Sequence, residues 1–287
     1  MVAPPMPLTI TPLDAPLGAK IDGLDSRRPL SDAEFSVIER ALLEYVAIVI
    51  SDLDENVPWL LDLGRRFGPL VPHALTQYHH ASTPEMSIIS ANMNSAESRQ
   101  TTLPAGAFWH SDLAYTARPS AAIFLYSTHI PRDGGDTLMA NMNLAYAALP
   151  DGLKRQLQGL TATHRYGFRG GGAVVPLTPE QSTRYPDVSH PVVRTHPKTG
   201  CKSLFVSPGY TVRIDQLEAA ASDDLLDRLF EHALKDEFQY RHRWQVRQLV
   251  GLDNRASLHC AVAGYQEPRR MLRMIVNGGE ELMAMDH

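Results

Sequence analysis

The sequence predicts a mainly β fold with a few flanking helices. Three observations carry this. Short apolar runs of strand length recur along the chain, only a few stretches show helical periodicity, and no internal repeat or low-complexity linker divides it. In order, Ser31-Asp32-Ala33-Glu34 reads as a capping box. It opens a helix running through Glu39 to Tyr45, with Phe35, Ile38, Leu42 and Leu43 on one face. Residues 46–50 follow as a buried strand and 58–67 as a second helix. Residues 121–128 are apolar enough for a core strand, and 144–149 and 153–157 are helical segments broken near Pro150. Ser222 is placed to cap a helix from Asp223 to Lys235, with Leu225, Leu226, Leu229 and Ala233 inward. Residues 240–252 read as one long strand and 270–276 as another. Many short strands with few helices suggest a sandwich or a barrel, and periodicity does not choose between them.

A chain of 287 residues is long for one domain but accommodated by a single β-rich one, here taken as 1–287. With 44% hydrophobic and 21% charged residues the balance is that of a globular protein. The net charge of −5 lacks the basic face that nucleic acid requires. Two cysteines, Cys201 and Cys260, argue against a disulfide scaffold and fit a reducing compartment. Residues 1–13 are proline-broken, without the basic-then-apolar order of a signal peptide. No apolar run approaches the roughly 20 residues of a membrane span. The expectation is a cytoplasmic protein acting on a small-molecule substrate, with no nucleic-acid or membrane partner and a homo-oligomer left open.

The chemistry concentrates in Trp109-His110-Ser111-Asp112. On a strand, His110 and Asp112 would project from one side. His259, in Asp253-Asn254-Arg255-Ala256-Ser257-Leu258-His259, is the candidate third ligand. Two histidines and a carboxylate on one face form the facial triad of non-haem Fe(II) oxygenases. An isolated H-x-D is weak. The ordered set W-H-S-D, G-G-D-T (134–137), D-N-R-x-x-x-H (253–259) and R-R-M-x-R (269–273) is specific. Cys260 adjoins His259 but on a strand would face the other way.

With these motifs the chain resembles the taurine dioxygenase (TauD/TfdA) family of Fe(II)/2-oxoglutarate-dependent dioxygenases. The resemblance begins at residues 18–24 and passes through 65–68, 134–149, 190–205 and 241–244 to the His259/Arg270 segment. It implies a double-stranded β-helix, or jelly roll, enclosing a site between its sheets. It further implies Fe(II) held by His110, Asp112 and His259, with 2-oxoglutarate and O2 as co-substrates. Arg270 would grip the far carboxylate of 2-oxoglutarate, joined by the Thr137 hydroxyl. A substrate C–H bond would be oxidised, most simply by hydroxylation, as succinate and CO2 are released. The presence of Asp112 points away from halogenation. Residues 76–106 and 167–191 are expected as lid loops.

The departures from the family cluster where substrate binds. His73 matches a substrate-contacting histidine. Thr76 replaces a pocket tyrosine, Gly106 an asparagine, and Met274 an arginine four residues beyond the one that holds 2-oxoglutarate. Leu252 stands where the family usually has tryptophan. Arg273 sits one residue before Met274, and a one-residue shift on a strand flips the face unless a bulge intervenes. The sulfonate cage is therefore incomplete, and the expected substrate is not taurine. An aryloxyalkanoate, an alkyl sulfate or a specialised metabolite fits a roomier, less charged pocket. Two other classes compete. A zinc hydrolase leaves 134–137 and Arg270 unexplained, and a non-catalytic jelly-roll binding module predicts damaged ligands.

Overall fold

The structure is a computed structural model and describes residues 7–72, 78–91, 106–168 and 178–279. One mixed sheet of eight strands dominates. Its spatial order is β1 (Thr9–Pro12), β2 (Ala19–Asp22), β3 (Ala47–Ile50), β14 (Leu249–Asp253), β6 (Ser120–His129), β16 (Arg269–Asn277), β5 (Thr83–Ala91) and β4 (His79–His80). Among the described strands, only β2 and β3 pair in parallel. Smaller sheets follow: β13 (Gln239–His242) with β7 (Thr137–Asn141) and β15 (Ser257–Ala261); β12 (Thr211–Ile214) with β8 (Thr161–His164) and β9 (Val188–Pro191); and β10 (Val193–Thr195) with β11 (Lys202–Leu204). The helices are α1 (Asp32–Tyr45), α2 (Val57–Phe67), α3 (Met142–Ala147), α4 (Asp151–Gln156), α5 (Pro179–Arg184) and α6 (Ala219–Ala233). Among the described residues, no helix is long and apolar enough to cross a membrane.

Strand alternation turns these elements into layers. Ile48, Ile50, Phe124, Tyr126, Leu272, Met274 and Val276 leave one face of the large sheet and meet Ile38, Leu42, Leu60 and Leu63 of α1 and α2. Val49, Ile123, Leu125, Leu252, Met271 and Ile275 leave the other face and meet Met139 and Trp244 from the β13–β7–β15 layer. The next residues on that layer, Ala140 and Leu258, point outward onto Ala145 of α3 and Leu225, Leu226 and Leu229 of α6. The site lies between the two sheets. The capping box that opens α1 forms: the Ser31 hydroxyl accepts from the Glu34 N–H and the Glu34 carboxylate accepts from the Ser31 N–H. Such a cap contributes about 1 kcal/mol.

The mainly β architecture with helices is what forms, but the expected double-stranded β-helix is corrected. Among the described residues no sheet curls shut; the large sheet ends at the edge strands β1 and β4, and the others are separate ribbons. The smaller strands are three to five residues long. Beyond their ends, backbone carbonyls are taken by side chains: Arg194 and Ser203 bond the Arg255 carbonyl, and Ser111 bonds that of Asn254. A carbonyl satisfied in this way does not extend a ladder.

Three smaller expectations also change. Residues 240–252 are two strands in different sheets, broken by a turn whose Arg247 has φ 66°. Helix α6 starts at Ala219, four residues ahead of expectation, and Ser222 lies inside it, where its hydroxyl accepts from the Ile214 N–H at 2.8 Å. In the two segments read as loops, Thr83–Ala91 is a long strand next to β16, and α5 and β9 occupy the described part of 178–191.

Two buried histidines make stability depend on pH. Burial, reinforced by His190 and Arg194, pushes His164 down to about 3, and burial pushes His242 down to about 4. Both are neutral in the native state. Below the unfolded value of about 6.5, the unfolded chain binds protons that the native state refuses. Each histidine should then remove up to ~1.4 kcal/mol of stability per pH unit until its native pKa is reached. Urea denaturation from pH 7 to pH 5 is expected to show a steadily falling midpoint, with a shallower slope in His164→Gln. Identical slopes in the two proteins would refute the assignment.

Candidate active site

Strand β15 alternates Leu258 toward the helices and His259 toward the space between the sheets, on the same side as its register partner Met139. His110 is not part of a named strand. It forms a single bridge with His259, each backbone N–H donating to the other's carbonyl at 3.0 and 2.9 Å. This exchange brings the two rings to a centroid separation of 4.2 Å. The His110 Nδ1–H donates to the Phe108 carbonyl at 2.7 Å, which selects the tautomer whose Nε2 lone pair is available to a metal. Gly106 passes close by, with φ +81°; a Cβ there would stand 3.0 Å from His110 Cε1, so only glycine leaves the ring in place.

The H-x-D pair does not lie on one strand face. Asp112 sits in a turn before Leu113, which has φ 58°. Its carboxylate lies beside the histidines, and its backbone is held by Asn254. The Asp112 N–H donates to Asn254 Oδ1 at 3.2 Å, and Asn254 Nδ2 donates to the Asp112 carbonyl at 2.9 Å. His110, Asp112 and His259 are all buried and offer three ligand atoms within 4.8 Å of one another. Asp112 Oδ2 lies 3.6 Å from His259 Nε2. Burial, helped by His110, pushes His259 down to about 3. Its imidazole is therefore neutral near pH 7 and keeps a lone pair for coordination. Two imidazoles and one carboxylate, with no thiolate among them, form a donor set that fits Fe(II), and they lie beside a cavity.

That cavity has a volume of about 730 Å³. On β16 the inward residues are Arg269, Met271, Arg273 and Ile275, all of which line it. Arg270 and Met274, expected at the site, lie on the opposite face. Arg270 bonds the Thr128 hydroxyl and lies 3.7 Å from Glu55, while Met274 packs among the residues that meet α1 and α2. The cause is the pleat: β16 pairs with β5 without a break from Arg269 to Met274, so alternate residues share a face. The shift in register against β6, between Arg270 and Met271, does not alter this alternation.

Arg269 is buried, and its Nε–H donates to the Gly135 carbonyl at 3.0 Å. Burial lowers its pKa, opposed by Tyr265 and Asp136. Gly135 has φ +70°, and a Cβ there would lie 3.2 Å from Arg269 Cδ, so the glycine lets the arginine stem pass over the backbone. Thr137, also lining the cavity, accepts from Trp244 Nε1–H at 3.0 Å, which leaves the hydroxyl proton to be donated elsewhere. Arg273 Nη1 lies 3.4 Å from Asp112 Oδ1, and its buried Nε has no hydrogen-bond partner. The outer wall is aromatic: Tyr115 packs on Tyr210 and Tyr166 with ring centroids 4.8 and 4.6 Å apart.

Arg269, Trp244, Asn254 and the tyrosine wall have no assigned role in the sequence reading. The R-R-M-x-R motif contains Arg269, but both faces of the strand are apolar, so its inward residues cannot be told from its outward ones. Gly106 lines the cavity; His73 and Thr76 lie outside the described residues.

The chain is similar to known proteins in sequence and in fold. The family model described as taurine catabolism dioxygenase TauD, TfdA family matches residues 9–275. The alpha-ketoglutarate-dependent 2,4-dichlorophenoxyacetate dioxygenase of Cupriavidus pinatubonensis is 32% identical, over 88% of this chain and 92% of that one. An alkylsulfatase of Acinetobacter baylyi is 29% identical, over 96% and 87%. A crystal structure of a taurine dioxygenase from Burkholderia xenovorans superposes with a TM-score of 0.80 at 28% identity, covering 98% of this chain and 95% of that one.

Proposed function

Because the chain belongs to the TauD/TfdA dioxygenase family, we propose that it is an Fe(II)- and 2-oxoglutarate-dependent hydroxylase of a small organic anion other than taurine, releasing succinate and CO2. The observation that carries this is the convergence of His110, Asp112 and His259 on a cavity that also receives Arg269 and Arg273. When bound by the triad, Fe(II) supplies the position at which O2 is reduced at the expense of 2-oxoglutarate and a substrate C–H bond is oxidised. Arg269 holds the far carboxylate of 2-oxoglutarate with its planar fork, in the role expected of Arg270, and the Thr137 hydroxyl, oriented by Trp244, donates to the same group. Arg273 is left to receive the anionic end of the substrate.

Taurine also carries an ammonium, for which the described lining offers no carboxylate beyond the metal ligand. Among the described residues that line the cavity the only carboxylate is Asp112, which the metal takes. An ammonium without a partner is costly to bury. Phe108, Tyr115, Tyr210, Ile89 and Ile275 instead suit an apolar body. The names of two relatives, a 2,4-dichlorophenoxyacetate dioxygenase and an alkylsulfatase, fit the same description of an anion on an apolar frame. A zinc hydrolase would leave Arg269 and Thr137 without a task.

The test adds Fe(II) and then 2-oxoglutarate to metal-free protein without oxygen, followed by succinate assays in air with 2,4-dichlorophenoxyacetate, hexyl sulfate or taurine. A visible charge-transfer band is expected, together with succinate formation stimulated by an apolar anion and not by taurine. Absence of the band while Fe(II) is retained would overturn the co-substrate assignment. Taurine as the best substrate would overturn the substrate reading.

A further inference from the structure

The turn between β14 and β15 does more than deliver His259. Asn254 is fully buried, and its carboxamide meets the backbone of Asp112 as a neighbouring strand would, accepting from the N–H and donating to the carbonyl. The carboxamide is itself anchored, since Nδ2 also donates to Ser120 Oγ at 2.6 Å. The Asn254 backbone is fastened on both sides: its N–H donates to the Ala121 carbonyl at 3.0 Å, and its carbonyl accepts from Ser111 Oγ at 2.9 Å and from Arg194 Nη2 at 2.8 Å. Arg194 is a buried guanidinium lying 4.0 Å from the Phe205 ring centroid, and its Nε–H donates to the Arg255 carbonyl. Asp253, the last residue of β14, is gripped by His196 Nε2 and by the Arg255 guanidinium.

We propose that Asn254 is the positioning residue of the metal centre: its carboxamide takes the place of the absent strand beside Asp112 and presents that carboxylate to the ion in a prearranged orientation. This rests on the triad binding a divalent metal. His110 and His259 are fixed by their own reciprocal backbone bonds, whereas Asp112 lies in a turn with no ladder of its own. Without Asn254, the Asp112 N–H and carbonyl each lose a hydrogen bond, the carbonyl keeping that from the Ser120 N–H at 3.4 Å, and metal binding must also order the ligand it uses. The same residue links the segment bearing Asp112 to the turn that leads into His259, so the carboxylate is set relative to the histidine as well as to the fold.

The test is calorimetric titration of metal-free protein with Co(II), alongside the Co(II) visible spectrum and the melting temperature. Asn254→Ala is expected to bind Co(II) about 10–100-fold more weakly, with an altered spectrum. Ser257→Ala is the control. It removes a buried hydroxyl bond to the Asp253 carbonyl that spans the same turn and should lower the melting temperature while keeping Co(II) affinity within about threefold of wild type, far from the change expected at a ligand's supporting shell. Wild-type affinity in Asn254→Ala, or an equal loss in Ser257→Ala, would overturn the proposal. Should Asn254→Ala fail to fold, Ser120→Ala removes only the carboxamide's anchor; several-fold weaker Co(II) binding supports the proposal, and unchanged binding overturns it. A wild-type protein that does not bind Co(II) would remove the metal-site reading itself, an outcome distinct from these.

Discussion

Arg269→Ala is expected to weaken 2-oxoglutarate binding by about 100-fold or more, whereas Arg270→Ala should leave it within about twofold of wild type. The first figure follows from removing one partner of a desolvated charge pair, which costs roughly 2–5 kcal/mol. Arg269 is buried in the cavity wall, held by the Gly135 carbonyl, with Thr137 lining the same cavity. Arg270 is on the other side of β16, near Glu55 and Thr128. Exposed or half-exposed ion pairs of that kind contribute about 0–1 kcal/mol. Anaerobic titration of the Fe(II) protein with 2-oxoglutarate, followed by absorbance, separates the two variants. The reverse order of effects would mean that β16 presents its other face to the site. Arg269→Lys should recover only part of the affinity, because an ammonium keeps the charge but not the bidentate fork.

Asp112→Ala should abolish turnover, to below about 1% of wild type, and weaken Fe(II) binding by at least about 100-fold, beyond the 10–100-fold typical of losing a group that merely supports a ligand. Two effects act together. One of three protein ligands is lost, and Arg273, 3.4 Å from the Asp112 carboxylate, loses its nearest anion. A free cation beside the site repels the incoming metal. Asp112→Asn, which keeps the shape and the backbone bonds to Asn254 but not the charge, should fall close to the alanine variant if charge dominates. Dialysis followed by iron quantification, with the absorption band as a second readout, measures both. A variant that retains Fe(II) and shows the wild-type band would exclude Asp112 as a ligand.

What could be read directly was what depends on near neighbours in the chain or on residue identity. The capping box of α1 is a contact between positions three apart, and it forms as Ser31 and Glu34 indicate. The three ligands could be named because imidazole and carboxylate in that order carry the chemistry wherever they fall, and the structure brings them together. The family followed from the same motifs.

What could not be read was which way the chain faces. Residues 269–277 are apolar on both sides of the strand, Met271 and Ile275 toward the cavity and Leu272, Met274 and Val276 toward the helices, so alternation carries no contrast from which to pick the inner set. Counting eleven residues from His259 lands on the outer face; the inner arginine is at ten. The break at Arg247, which sends the two halves of 240–252 to different sheets, has no local signal because it depends on where β6 and β7 lie. Asp112 joins the triad from a turn whose backbone pairs with Asn254, 142 residues later. Local propensity and chemical identity are properties of a short stretch of chain. Strand facing, sheet closure and ligand orientation depend on hydrogen bonds between distant residues, and exist only once the layers have packed.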